Sequence, residues 1–223
     1  MVAPRLYVGG MEAAATVTTT KRDQRFHVYI YDTLLSLDTA GFSRVRVFDD
    51  EMKIGCNRTY RAALRDLLDN CDNEAVIVFQ DDLLVAKGLK AYVDRMEWPA
   101  PVEQMGVVSL YCAGPHAKPD RGLWRFPLSA DDSESWAKVY GALAFVWPRA
   151  AAEKFLADPP AVMGRSLCDQ LIGAWCAKND LQMWVHSPSL IQHIGKVSSF
   201  GPVDSLTKYR VATDFVENIA DWK

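Results

Sequence analysis

The stretch Ala75-Val76-Ile77-Val78-Phe79-Gln80-Asp81-Asp82-Leu83-Leu84 decides how the rest of the chain is read. Val76, Ile77 and Val78 are β-branched and flanked by Ala75 and Phe79, the composition of a strand buried on both faces. Strands of α/β proteins deliver functional groups at their carboxyl ends, which is where Asp81 and Asp82 stand. Adjacent carboxylates against an apolar wall repel each other unless a cation lies between them. A hard divalent ion bridging them to a diphosphate settles that charge. A solvated strand-to-loop turn accounts for two acids as well, so the strand alone leaves both readings open.

Upstream, Ala14 to Thr20 reads as a β-rich segment running into the polar turn Lys21-Arg22-Asp23. Ile30, Leu34, Leu35 and Leu37 give helical spacing from Val28 to Ala40, and Gly41 closes that helix. Val45, Val47 and Phe48 form a second strand ending in Asp49-Asp50-Glu51. A helix follows from about Arg58 to Leu68, with Asn57 as its cap. Beyond the acids, Lys87 to Met96 is expected to be helical. Strand and helix thus alternate through the first hundred residues, the pattern of parallel α/β units.

Downstream, Gly106–Tyr111 and Gly141–Trp147 read as strands, and Cys112–Asp132 as a long loop rich in Gly, Pro and charge. Helices are expected over Arg149–Ala157, ended by Pro159-Pro160, and over Ser166–Ala177. Gln182–Val185 reads as a short strand and Pro188–Phe200 as an irregular loop. With no repeat, low-complexity tract or linker, one domain over 1–223 is the economical expectation. Residues 14–110 would form the nucleotide-binding half and 111–223 the acceptor-binding and catalytic half.

A chain of 223 residues with a formal charge of −3 and 49% apolar residues describes one globular core. It carries no bulk electrostatic footprint for nucleic acid. No apolar run is long enough to span a bilayer and no signal-peptide pattern opens the chain, so a cytoplasmic location is expected, the host-cell cytoplasm if the source is viral. The five cysteines lack zinc or CxxC spacing and read as reduced thiols, with Cys168 and Cys176 as core filler.

Three segments carry a resemblance: Thr18-Thr19-Thr20-Lys21-Arg22 with Tyr31–Leu37, Phe79–Lys87 with the two acids, and Pro188–Gly195 with Ser198-Ser199. Together and in this order, the chain resembles GT-A-fold glycosyltransferases, and most closely the N-acetylglucosaminyltransferases that add the type-four branch to N-glycans. In that family the acids belong to an "EDD" form of the metal-binding DxD motif; Gln80 stands where the Glu is usual, offering a hydrogen bond instead of a charge. The resemblance implies a GT-A fold, a central, mostly parallel sheet flanked by helices. It also implies a UDP-sugar donor of glucose or N-acetylglucosamine type.

It further implies Asp82 as direct ligand of Mn²⁺ or Mg²⁺, with Asp81 orienting ribose or sugar hydroxyls. His193, in its Gln-His-Ile-Gly setting, is the expected third partner of the metal, and an imidazole favours Mn²⁺. Asp169 is the candidate general base for a single, inverting displacement; an unremarked acid in a helix's first turn is the other reading of that residue. Thr18, Thr19, Thr20, Lys21 and Arg22 would line the donor pocket, with Asp50 at the base or ribose. Gly141 and Ala142 would let the sugar approach the backbone, although close packing explains them too. Lys196, Ser198 and Ser199 would supply donors over the diphosphate.

The middle of the chain interleaves cations with Trp124 and Trp136, so Trp124, Arg125 and Trp136 are candidate acceptor contacts. Such a surface suits a sugar on an indole or a nucleic-acid backbone with a stacked base. The acceptors this leaves open are a glycan, a protein or nucleic acid, including hydroxymethylated bases of viral DNA. A non-catalytic nucleotide-sugar or glycan-binding module is the competing reading. A phosphohydrolase ranks last, since no second carboxylate cluster offers a two-metal site.

Overall fold

In the computed structural model, residues 13–19, 27–43, 45–49, 55–118, 121–132, 134–135, 138–158, 167–195 and 211–222 are described. Strand β1 (Ala13–Thr19), helix α1 (His27–Thr39), strand β2 (Val45–Asp49), helix α2 (Cys56–Asn70) and strand β3 (Ala75–Gln80) follow the alternation expected from sequence. β1 pairs with β2 and with β3, both parallel. Then come β4 (Leu83–Val85), the short α3 (Leu89–Val93), β5 (Met105–Ser109), β6 (Gly122–Phe126) and β7 (Ala144–Pro148). Helices α4 (Arg149–Ala157) and α5 (Cys168–Lys178), then strands β8 (Gln182–Ser187) and β9 (Ile191–His193), complete the order.

The main sheet has the order β2-β1-β3-β7-β5-β8-β6. β1, β2, β3, β5 and β8 run one way, and β7 and β6 run against them. β3 carries the core on both faces. Ile77 and Phe79 point into one apolar cluster with Leu34 and Leu37 of α1. Val76 and Val78 point into another with Tyr60 and Leu64 of α2, Phe155 of α4 and Trp175 of α5. Burial of each such side chain is worth about 2 kcal/mol, so the strand delivering the acids is firmly held.

α1 ends as its sequence promised. Gly41 has φ of 100°, its N–H donates to Asp38 O at 3.0 Å, and Phe42 N donates to Leu37 O at 2.9 Å. These are the two bonds of a Schellman cap, with Leu37 and Phe42 both buried in one cluster.

Four expectations need correction. α2 starts at Cys56 behind Gly55, so Asn57 lies inside its first turn and is not the cap. The helix expected over Lys87–Met96 shrinks to Leu89–Val93, because Gly88 is left-handed and the backbone of Lys87 pairs with Glu217 and Ile219. The supposed loop Cys112–Asp132 contains β6, which pairs antiparallel with β8. The supposed loop Pro188–Phe200 contains β9, paired antiparallel with β4 in a separate two-stranded sheet. No described helix is long and apolar enough to cross a membrane.

Candidate functional site

Because β2 lies on one side of β1 and β3 on the other, the strand order switches between β1 and β3. Crevices outside the carboxyl ends of strands at such switch points are where open α/β sheets bind ligands. β1 brings Thr18 and Thr19 there, and β3 brings Gln80, followed by Asp81 and Asp82. Thr19 Oγ1 donates to Asp81 Oδ2 at 2.6 Å, and Thr18 Oγ1 donates to Phe79 O at 3.2 Å. Asp81 is thereby turned towards β1.

Two hydroxyls of α1 shape the turn after β3. Thr33 Oγ1 accepts from Leu83 N at 3.1 Å and lies 3.0 Å from Asp81 O and 2.9 Å from Leu83 O. Ser36 Oγ accepts from Val85 N at 2.6 Å. Thr33 is fully buried. The sequence held a signal for it, a polar residue inside the apolar stripe of Ile30, Leu34 and Leu37, which the resemblance left without a role.

The β4–β9 ribbon pairs Leu83 with His193, and Ile194 N donates to Asp82 O at 2.9 Å. This register brings together two side chains 111 residues apart: His193 Nε2 stands 3.0 Å from Asp82 Oδ2. A carboxylate oxygen only accepts, so Nε2 carries the proton of this bond. The imidazole is 5% exposed and the Asp82 side chain 24%. Asp82 Oδ1 is buried with no hydrogen-bond partner among the described residues. An unpaired buried acceptor costs about 1–3 kcal/mol, and a carboxylate in that state suits a cation.

Gly195 shows how tightly this corner is drawn. A Cβ there would collide with Asp82 Oδ2 and stand 3.0 Å from Asp82 Cγ and 3.1 Å from His193 Nε2. Among the described residues no group of three His, Cys, Asp or Glu side chains converges. Asp82 and His193 nevertheless fit a divalent ion of the kind that takes only one or two protein ligands and fills its other positions with phosphate oxygens and water. The orphaned Oδ1 and the converging Oδ2 are the observations behind that fit, and Nε2 joins them as a ligand once its proton gives way to the cation.

Asp169 lies in the first turn of α5, yet it is 9% exposed. Its Oδ2 accepts from Gly141 N at 2.5 Å and its Oδ1 from Gln170 N at 2.9 Å. Two residues on from Gly141, Leu143 O accepts from Gln80 N at 2.9 Å. The segment Gly141–Leu143 therefore links Asp169 to the end of β3. Gly141 has φ of 78°, and a Cβ would meet the Tyr111 ring at 2.8 Å, so close packing and backbone conformation both call for glycine. Ala142 is buried in the cluster under α2, α4 and α5.

Trp124 does not offer an open platform. It is buried, with the Lys118 ammonium 3.8 Å above its ring, and its Nε1 is buried without a partner among the described residues. Arg125 points the other way and is exposed. Thr20, Lys21, Arg22, Asp50, Trp136, Lys196, Ser198 and Ser199 lie outside the described residues.

None of the five cysteines is in a disulfide. Burial pushes the Cys176 thiol up to about 12 and Cys168 upward as well, as befits core residues. A second histidine, His186, is fully buried, with Nδ1 2.6 Å from Pro188 O and Nε2 2.8 Å from Tyr92 Oη. Nδ1 must donate to the carbonyl, which leaves Nε2 to accept from the phenol. Burial holds this imidazole below its ordinary range and pushes the Tyr92 phenol up to about 12.

No protein-family profile and no curated protein matches the chain by sequence. Solved structures do match. Residues 1–349 of TarS from S. aureus superpose with a TM-score of 0.50 at 16% identity, covering 81% of this chain and 59% of that one. A longer TarS structure gives 0.51 at 16% identity, covering 81% of this chain and 36% of the other. The mannosyltransferase PcManGT from Pyrobaculum calidifontis, in complex with GDP-Man and Mn²⁺, gives 0.50 at 12% identity over 84% of this chain and 58% of that one. The chain thus spans less than three fifths of each, and at such identities the likeness is one of fold. The α/β architecture, a mostly unidirectional central sheet flanked by helices, is the GT-A fold of these glycosyltransferases.

Proposed function

We propose that this chain is a metal-dependent glycosyltransferase that moves a hexose, of glucose or N-acetylglucosamine type, from a UDP-sugar to an acceptor hydroxyl. The observation carrying this reading is the orphaned carboxylate oxygen of Asp82, set beside His193 at the switch point of a GT-A sheet. Asp82 and His193 would hold Mn²⁺ or Mg²⁺. That ion, when bound, neutralises charge developing on the departing diphosphate. Manganese and GDP-Man in the PcManGT complex support a divalent ion and a nucleotide-sugar in this fold.

The chain's own residues have separate tasks. Thr19 holds Asp81 towards β1, where it would orient ribose or sugar hydroxyls. Thr33 and Ser36 fix the backbone between β3 and β4, so that Asp82 is presented without rotation of the turn. Asp169 is the general base of a single, inverting displacement, oriented by the Gly141 and Gln170 N–H groups. Thr18, Thr20, Lys21, Arg22, Asp50 and Gln80 complete the donor pocket, Gly141 and Ala142 flank the sugar, and Lys196, Ser198 and Ser199 contribute donors to the diphosphate. The acceptor is a glycan or a hydroxymethylated base in DNA, with Arg125 and Trp136 as its contacts and Trp124 buried beneath Lys118.

Purified protein incubated with UDP-Glc, UDP-GlcNAc, UDP-Gal and GDP-Man, with and without Mn²⁺, tests the reading. Metal-dependent release of UDP from one UDP-sugar, lost in Asp82→Ala, is expected. UDP-GlcNAc as that donor would bear on the resemblance to the type-four branching enzymes. Binding of donor with neither hydrolysis nor transfer, unaffected by Asp169→Asn, would instead establish a binding module.

A further inference from the structure

His193 belongs to a strand too short to hold it. β9 has three residues and, among the described residues, one ladder partner, the three-residue β4, and a two-stranded ribbon of that length is at best marginal by itself. The ribbon's outer edge is closed by a side chain. Gln192 Oε1 accepts from Ala212 N at 3.0 Å, and Gln192 Nε2 donates to Ala212 O at 3.1 Å, so one amide meets both backbone groups of one residue as a neighbouring strand would. The same Oε1 accepts from His193 N at 3.1 Å.

The segment beginning at Val211 is fastened again further on. Asp214 accepts from Ser187 Oγ at 2.7 Å and Ser189 N at 3.2 Å, Val216 N donates to Ser189 O at 3.0 Å, and Trp222 packs edge-on against His186 at 4.7 Å. Of these fastenings, only the Gln192 amide also touches the backbone of His193.

We infer that Gln192 is a positioning residue: its side-chain amide clips Ala212 to the His193 backbone and so sets the imidazole against Asp82 for metal binding. This rests on Asp82 and His193 being metal ligands. Residues that orient a ligand typically contribute ten- to a hundredfold in metal affinity, and Gln192 does so through the main chain and not the ring.

Calorimetric titration of the full chain with Mn²⁺, in the presence of UDP, tests it. Gln192→Met keeps the length of the side chain and removes all three bonds; a loss of about tenfold or more in Mn²⁺ affinity is expected. Gln192→Glu keeps an acceptor for the His193 and Ala212 N–H groups and should stay within about threefold of the parent, a result that stands even if the Met variant fails to fold. Trp222→Ala loosens the same segment away from His193, lowering the melting temperature without weakening Mn²⁺. Equal affinity in a folded Gln192→Met, a Glu variant that loses about tenfold, or an equal loss in Trp222→Ala overturns the inference alone. A parent chain that binds no Mn²⁺ overturns the metal reading and this inference with it.

Discussion

Two histidines seven residues apart in the sequence, His186 and His193, occupy opposite kinds of site. His186 is fully buried, donates to Pro188 O, accepts from Tyr92 and is flanked by the Trp222 ring. His193 is also largely buried, but it faces a carboxylate whose other oxygen has no partner among the described residues. Burial alone does not separate them. What separates them is whether the polar groups around the ring are all satisfied, since a fully paired cluster stabilises the fold and an unfinished one has capacity for a ligand.

Substitution at Asp82 gives the strongest test of that contrast. Asp82→Ala should lower metal-dependent turnover by about a hundredfold or more, while the urea midpoint stays near the parent's, because removing an unpaired buried oxygen offsets the loss of the acceptor for His193 Nε2. A large loss of stability in this variant would mean that Asp82 is structural and that the two histidines are not of different kinds.

His186→Ala should do the reverse. Losing two buried hydrogen bonds and the aromatic contacts should cost about 3 kcal/mol in chemical denaturation, with Mn²⁺ affinity unchanged. Acid should act on the same cluster. The His186 pKa is depressed in the folded state, chiefly by burial, so below about pH 6.5 the unfolded chain binds the proton more readily. Stability is complete above that pH and declines as pH falls through the ordinary histidine range towards the folded value. Denaturation midpoints measured from pH 7.5 to 5 check this, and the slope should flatten in His186→Phe. His116 is shifted the same way, again chiefly by burial, and contributes a remaining slope.

Gly195→Ala probes the unfinished site from its wall. The added methyl must displace Asp82, and about a tenfold loss of Mn²⁺ affinity is expected with a small change in melting temperature. The smallest effect belongs to Thr19→Val. It removes one hydrogen bond to the Asp81 carboxylate, worth about 1.5 kcal/mol, and should weaken donor binding about tenfold with Mn²⁺ affinity nearly intact.

Legibility in the sequence followed segment length. β3, α1 with its Gly41 cap, and α4 at Arg149–Ala157 were readable because each has enough residues for its burial period or its cap to stand out. β4 and β9, at three residues each, have no period to read, and β6 was hidden among Gly, Pro and charged residues. Asp82 and His193 could be named from the sequence, but the unpaired Oδ1 and the fit around Gly195 are properties of packing. Gln192 had no role legible beside His193 in the sequence, because two of its three bonds run to a residue twenty positions on.

By itself, then, the sequence determined a buried strand ending in two acids, the α/β alternation around it and the glycine that stops α1. These follow from local patterns of apolar residues, turn residues and caps. Only the tertiary structure decided that the strand order switches between β1 and β3, that β4 and β9 pair in the register that sets His193 on Asp82, and that one oxygen there is left unmatched. Pairings across 111 residues and the satisfaction of single polar atoms depend on where every neighbour comes to rest.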